Sequence, residues 1–308
     1  MIKNLKILFV GLGSIGKRHL RNLCNVAKEQ GLNLTIDALR SSKFPLEEEI
    51  SSLINKEYYN YDDIEDYDCI FITNPTYLHF ESLSKLKDKA KAYFIEKPLE
   101  QKALSSKQLE IFKDNNIYYI ACPIRHTAVF KELQKIVQQN KIFTARAICS
   151  SFLPEWRPNT DYRQVYSAKK ESGGVKVDLI HDFDYLFTLF GYPQKYSIYA
   201  KKISDLEIDS YDYTSFIGEY DDKFVELHLD YFGRIPTREV EIYTENDVIL
   251  VDFINAKIRI NNKWQNYDEE RNVSYVNEIK YFLSLINGEI ENINDIQKAN
   301  KTLEIIGE

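Results

Sequence analysis

Short, almost wholly apolar runs alternate with amphipathic stretches through roughly the first 120 positions: Leu5 to Val10, Leu34 to Leu39, Cys69 to Thr73, Ala92 to Ile95 and Ile117 to Ala121. Runs without a polar alternate belong to strands covered on both faces, and the intervening 3.6-residue periodicity, clearest from Lys17 to Ala27, belongs to helices. The pattern predicts an α/β domain with a doubly wound parallel sheet. Past residue 122 it changes. An amphipathic helix from Thr127 to Gln139 is followed by a strand near Phe143 to Ser150, a loop rich in Pro and Arg, and a helix ending near Phe190. Ser197 to Ile203, Tyr211 to Glu219, Phe224 to Tyr231, Arg238 to Thr244 and Val248 to Ile260 then recur at hairpin spacing, predicting an α+β domain with an open, mostly antiparallel sheet. Helical patterns at Val273 to Leu285 and Ile296 to Ile306 close the chain. The expected boundaries are 1–122 and 123–308, with the last helices able to pack back on the first domain.

Composition narrows the classes. The 308 residues favour two domains, because single cores stop growing at ~250–300 residues. A formal charge of -7, from 40 basic and 47 acidic residues, argues against nucleic acid or an anionic membrane as partner. Four dispersed cysteines without metal-like spacing read as reduced, mostly buried thiols, so no metal is expected. The N-terminal residues Met1 to Lys6 run into the first strand without an apolar leader, so a cytoplasmic chain is expected.

The six residues Gly11-Leu12-Gly13-Ser14-Ile15-Gly16 join the first strand to the first helix. Gly11 permits the tight turn, Gly13 lets backbone approach a pyrophosphate, Gly16 lets helix pack on strand, and the N–H groups around Ser14 and Ile15 face the anion. A nicotinamide dinucleotide is implied. After the second strand, Arg40 stands where an acid would hold the ribose hydroxyls, and Arg40 with Ser41 and Lys43 suits a 2′-phosphate, so NADP is favoured with NAD allowed. A solvated basic loop is the competing reading, and Asp37 is the rival acid in another register. Asn74 and Thr76 follow a strand at its carboxyl edge, where such sheets bind ligands, with His79 opening the next helix; these three, with Glu96 and Lys97 further on, are expected to contact the cofactor.

Glu96-Lys97-Pro98 closes another strand and would point Lys97 at the reacting oxygen of a substrate; an ordinary surface pair is the alternative. In Ser172-Gly173-Gly174…Asp178…His181-Asp182-Phe183-Asp184, Leu179, Ile180, Phe183, Leu186, Phe187 and Phe190 form an apolar stripe, leaving Asp178, His181, Asp182 and Tyr185 opposite. His181 would serve as general acid or base with Asp178 fixing its tautomer, unless the face is only solvated. The other histidines, His19, His126 and His228 among them, read as packing or hydrogen-bonding residues. The loop carrying Trp156, Arg157, Tyr162 and Arg163 suits a polyhydroxylated, anionic ligand, or else is a crossing loop held by salt bridges.

Together the glycine turn, Glu96-Lys97-Pro98 and the Gly173-Gly174…Asp178…His181…Asp184 segment resemble the glucose-fructose oxidoreductase/inositol dehydrogenase/rhizopine catabolism (Gfo/Idh/MocA) family along nearly the entire chain. The resemblance implies a Rossmann domain, a substrate domain that self-associates as a homodimer or homotetramer, and a site in which Lys97, Asp178 and His181 serve hydride transfer to or from a sugar carbon. Ser172 replaces the first of three usual glycines, and Cys122-Pro123-Ile124-Arg125 keeps only Arg125 of the family's Asn-x-Arg, so the resemblance implies a substrate-binding role for Arg125 and none for Pro123. The Trp156 to Ala168 loop looks like the subset that accompanies bacterial surface-sugar and nonulosonate synthesis, so a sugar or nucleotide sugar is the expected substrate. A redox-recycling epimerase or dehydratase, and a silent dinucleotide-binding regulator, are the alternatives.

Overall fold

A strand as uniformly apolar as Leu5 to Val10 is stable only when both of its faces are covered. The computed structural model, which describes residues 4–172 and 174–307, places it so. Met1 to Lys3 and Gly173 lie outside the described residues. Two compact units divide the chain, one comprising 1–123 with 272–303 and the other 124–271 with 304–308.

The first unit runs β1 (Asn4–Val10), α1 (Ser14–Gln30), β2 (Asn33–Leu39), α2 (Glu48–Ser51), β3 (Lys56–Tyr58), β4 (Cys69–Ile72), α3 (His79–Leu86), β5 (Ala92–Ile95), α4 (Ser106–Leu109) and β6 (Ile117–Ile120). Its strands are parallel in the order β3-β2-β1-β4-β5-β6. The order reverses between β1 and β4, and the crevice beyond their carboxyl ends is where such sheets hold ligands. Strand β3, absent from the sequence expectation, has three residues at the sheet edge, too few for a periodicity to show.

Register aligns Phe9, Phe71, Phe94 and Tyr119 across β1, β4, β5 and β6. Their rings stack at 4.6 Å and 4.8 Å for the first two steps and tilt at 5.5 Å for the third. Fully burying each such ring contributes roughly 1.5–3 kcal/mol.

The second unit contains α5 (Ala128–Gln139), β7 (Ile142–Phe152), α6 (Val175–Asp178), α7 (Ile180–Phe190), β8 (Lys195–Lys201), β9 (Tyr213–Glu219), β10 (Phe224–Asp230), β11 (Phe232–Thr244), β12 (Val248–Asp252), β13 (Lys257–Ile260) and β14 (Lys263–Asn266). The order is β14-β13-β12-β11-β7-β10-β9-β8, antiparallel except where β10 meets β7. The single strand expected from Val248 to Ile260 is instead a hairpin. The Asp252 carboxylate accepts from the N–H groups of Ile254 and Asn255 at 3.0 Å and 2.9 Å, and Ala256 has φ 47°, so the chain turns there.

One sheet face packs Val225, Leu227, Phe216, Val240 and Ile242 into a core, where Phe183 and Phe187 of α7 meet Phe216. The opposite face leaves Tyr199, Ile217 and Phe224 exposed. The chain ends with α8 (Val273–Ile286) and α9 (Ile296–Gly307). Within the first unit α8 packs along α1, and its Phe282 sets its edge on Phe71 and Phe94 at 5.5 Å and 5.3 Å. Among the described residues no helix is long and apolar enough to cross a membrane.

Candidate active site

The glycine turn sits at the carboxyl end of β1, and its backbone explains each glycine sterically. Gly11 has φ 89°, and a Cβ there would lie 2.7 Å from the Asn74 Cα. At Gly16 a Cβ would lie 2.5 Å from the Gly11 carbonyl oxygen and 2.8 Å from Thr73 Oγ1. At Gly13 it would meet nothing within 4 Å, so the space above Gly13 is open. Gly13 also caps α1 without a side-chain hydrogen bond, and the first turn, with Ser14 and Ile15, carries no acid. First-turn N–H groups without a carboxylate, an open approach and a tight floor fit a dinucleotide pyrophosphate.

The loops after β4 and β5 are tied together within the same unit. Asn74 donates through Nδ2 to Ser82 Oγ at 2.8 Å, and Thr76 is buried in the turn before α3. The buried ring of His79 has its nitrogens 2.9 Å from the Asn74 carbonyl oxygen and 3.0 Å from that of Pro98. Burial holds its pKa below the ordinary value, against the pull of those carbonyls and of Glu100 and Glu96.

Glu96 does not reach outward to form a surface pair with Lys97. It is buried, contacts His19 Nε2 on α1, and accepts the Lys97 backbone N–H at 3.1 Å. Lys97 follows at the end of β5, before a cis peptide to Pro98. His19 occupies the buried stripe of α1 one turn after Gly16; a polar residue on an apolar stripe was the signal for this role.

Arg40 follows β2 directly, and its N–H donates to the Tyr58 carbonyl at 2.9 Å. Ser41 and Lys43 beside it are exposed. Asp37 lies inside β2, buried, and receives hydrogen bonds from Tyr67 at 2.8 Å and Asn55 at 2.9 Å. That register removes Asp37 from the end of the strand.

In the second unit the single polar helix face expected for Asp178, His181, Asp182 and Tyr185 does not form. Asp178 ends α6, and Leu179, with φ -94° and ψ 28°, separates it from α7, which resets the helical phase. Asp182 and Tyr185 are fully buried, whereas His181, Asp184 and Phe190 are half-buried. Asp182 turns inward because Arg238 of β11 donates to it at 3.1 Å; burial raises its carboxyl pKa against that neighbouring charge. Asp178 accepts from Ser167 Oγ at 2.5 Å and from the Tyr231 hydroxyl at 3.0 Å, two partners that sequence spacing did not suggest.

Arg125 is gripped in a fork by Asp184, with Nε 2.8 Å from Oδ2 and the second guanidinium nitrogen on Oδ1. Trp156 donates to Ser151 at 2.9 Å and stands perpendicular to Tyr231, ring centres 5.3 Å apart. It shares a narrow cleft with Arg157, Tyr162 and Ser167, and Ser167 is the residue that donates to Asp178. Arg163 pairs with Asp161 and with Glu207, at 2.9 Å from the latter, contacts that also brace the loop. Tyr162 anchors the same loop by accepting from the Glu207 N–H at 3.2 Å.

The family model described as "Oxidoreductase family, NAD-binding Rossmann fold" (GFO_IDH_MocA) matches residues 5–118. An uncharacterized oxidoreductase of Bacillus subtilis (strain 168), YrbE, is 26% identical over 205 residues, covering 65% of this chain and 58% of its own length. The chain therefore spans less than two thirds of that curated relative. Among solved structures, the fold is shared with myo-inositol 2-dehydrogenase from Lactobacillus plantarum (TM-score 0.80, 22% identity, 99% of this chain and 96% of the other). It is shared also with UDP-N-acetylglucosamine 3-dehydrogenase GnnA from Acidithiobacillus ferrooxidans (TM-score 0.79, 17% identity, 99% and 96%).

Proposed function

We propose that this chain, which by its NAD-binding domain belongs to the Gfo/Idh/MocA oxidoreductase family, transfers hydride between a nicotinamide cofactor and a carbinol or keto carbon of a sugar or nucleotide sugar. The observation that carries the reading is the placement of Lys97. It closes β5, and the residue before it is bonded to the helix that begins at the glycine turn. The bound cofactor supplies or accepts the hydride; the protein's part is to hold the reactants and move one proton.

Gly11, Gly13 and Gly16 shape the pyrophosphate floor, and Asn74, Thr76 and His79 support the neighbouring loop. Lys97 Nζ donates to the reacting oxygen. His181 exchanges the substrate proton, with Asp178, set by Ser167 and Tyr231, orienting it. Trp156, Arg157, Tyr162 and Arg163 bind the sugar, with Arg125, which pairs with Asp184, as a further contact for its polar groups. Arg40 and Ser41 favour NADP over NAD by meeting a 2′-phosphate. The exposed face of the second unit's sheet, with Tyr199, Ile217 and Phe224, suits self-association into a homodimer or homotetramer. The proteins of the same fold are named for a nucleotide sugar and for the cyclitol myo-inositol, which supports a polyhydroxylated substrate class.

The test is titration of NADPH and NADH by nicotinamide fluorescence, followed by turnover with a panel of keto-sugars and nucleotide sugars. Oxidation of the bound cofactor by one of them is expected. Tight binding without net turnover across the panel would overturn the dehydrogenase reading.

A further inference from the structure

The Arg40 guanidinium is already engaged in the structure. Its Nη1 donates to Glu57 Oε2 and its Nη2 to the Phe44 carbonyl oxygen at 2.5 Å. Glu57 lies on β3, beside β2, which Arg40 follows, with Ala38 and Glu57 paired in register. The Tyr59 hydroxyl donates to the same Glu57 oxygen at 2.7 Å, and Lys43 sits over the Tyr59 ring at 5.3 Å. The Arg40 side chain is 10% exposed and that of Glu57 29%, so solvent screens the pair only in part. Tyr59 and then Arg40 hold the Glu57 carboxyl below its ordinary pKa, so it is ionised at neutral pH.

We propose that Glu57 is a specificity-determining residue for the cofactor, setting how far the protein prefers NADPH to NADH. The inference rests on the reading of the glycine turn as a dinucleotide site. A 2′-phosphate entering beside Arg40 has to compete with a carboxylate already bonded to the guanidinium, and it meets that carboxylate's negative charge. A 2′-hydroxyl carries no charge and can donate to the carboxylate, as ribose hydroxyls do to the acid at the end of the second strand in NAD-selective sheets. Here the acid arrives from the neighbouring strand while an arginine occupies the usual position. Glu57 therefore weakens NADPH and supports NADH, and the site accepts both.

The experiment compares dissociation constants of NADPH and NADH by fluorescence titration for the wild type, Glu57→Gln, Arg40→Met and the double variant, with thermal melts confirming that each is folded. Glu57→Gln is expected to shift the ratio of the two affinities toward NADPH by about tenfold, a shift of ~1.4 kcal/mol. In the Arg40→Met background the same change should shift the ratio less, because Glu57 then has no guanidinium to hold. If both nucleotides bind and Glu57→Gln leaves their ratio unchanged, Glu57 has no part in selectivity, whereas the dinucleotide reading stands. If neither nucleotide binds the folded wild type, that reading and this inference fall together.

Discussion

Nε2 of His19 lies 2.5 Å from Oε1 of Glu96, and both side chains are buried. Burial pushes the Glu96 carboxyl up, but the hydrogen bond and charge of His19, then the charges of Lys97 and His79, outweigh it and leave its pKa below the ordinary value. The other carboxylate oxygen accepts the Lys97 N–H, so one buried acid couples the helix of the glycine turn to the lysine turn.

Glu96→Ala strips His19 of this acceptor in the core and should cost about 3–5 kcal/mol, read as a lowered urea midpoint. The native pKa is depressed, so the stability Glu96 supplies is full above the unfolded value of ~4.3 and is lost as pH falls through the native one. The wild type should therefore lose more stability than the variant below about pH 4. Equal midpoints at neutral pH would refute the coupling.

Gly13→Ala and Gly16→Ala should separate binding from folding. The first adds a methyl to open space, so its melting stability should stay within about 0.5 kcal/mol of wild type while dinucleotide affinity falls. The second drives a Cβ into the Gly11 carbonyl and should cost about 1–3 kcal/mol. Unchanged affinity in folded Gly13→Ala would remove the pyrophosphate from that turn.

Burial, helped by the charges of Lys131 and Arg125, lowers the pKa of His126 to about 3. The unfolded chain then binds the extra proton between that value and ~6.5, so stability falls as pH drops through this window. The full loss is on the order of 3–5 kcal/mol. His126→Gln should flatten urea-derived stability between pH 6.5 and 4; an unchanged slope would mean that the imidazole is protonated in the native state.

Two arginine pairs in the second unit should differ sharply. Arg125→Ala leaves Asp184 without the cation in a largely buried fork and should cost about 3–5 kcal/mol. Arg163→Ala breaks half-exposed, solvent-screened pairs with Asp161 and Glu207 and should leave the denaturation midpoint close to that of the wild type. Chemical denaturation of both variants gives the comparison.

Lys97→Ala should retain the dinucleotide yet lose about 10²–10⁴-fold in turnover with whichever sugar the wild type accepts, the usual weight of a positioned proton donor. Full turnover in the variant would exclude Lys97 from the chemistry.

Much of this architecture was legible in local pattern. The five apolar runs are β1, β2, β4, β5 and β6, and the glycine spacing carried its own steric logic down to the open space at Gly13. Local pattern failed where the decisive neighbour is remote. The helical period placed Asp182 and Tyr185 on a polar face, but a residue pair 56 positions apart, Asp182 and Arg238, made a buried partner available, and Leu179 broke the phase. Nothing in the local pattern showed that Asp184, 59 residues on, grips the Arg125 guanidinium. Neither Ser167, inside the singled-out loop, nor Tyr231 signalled a bond to Asp178, because those partners lie 11 and 53 residues away and no local period links them.

The strand and helix grammar, the glycine turn and the position of Arg40 after β2 follow from sterics and periodicity within about ten residues, and so are written in the local sequence. That α8 returns to lie along α1, that Glu96 faces His19 and that Glu57 occupies Arg40 emerge with the folded chain. Each of those is a pairing of charge or apolar area between segments distant in sequence, and such pairings exist only once the sheet brings its strands side by side.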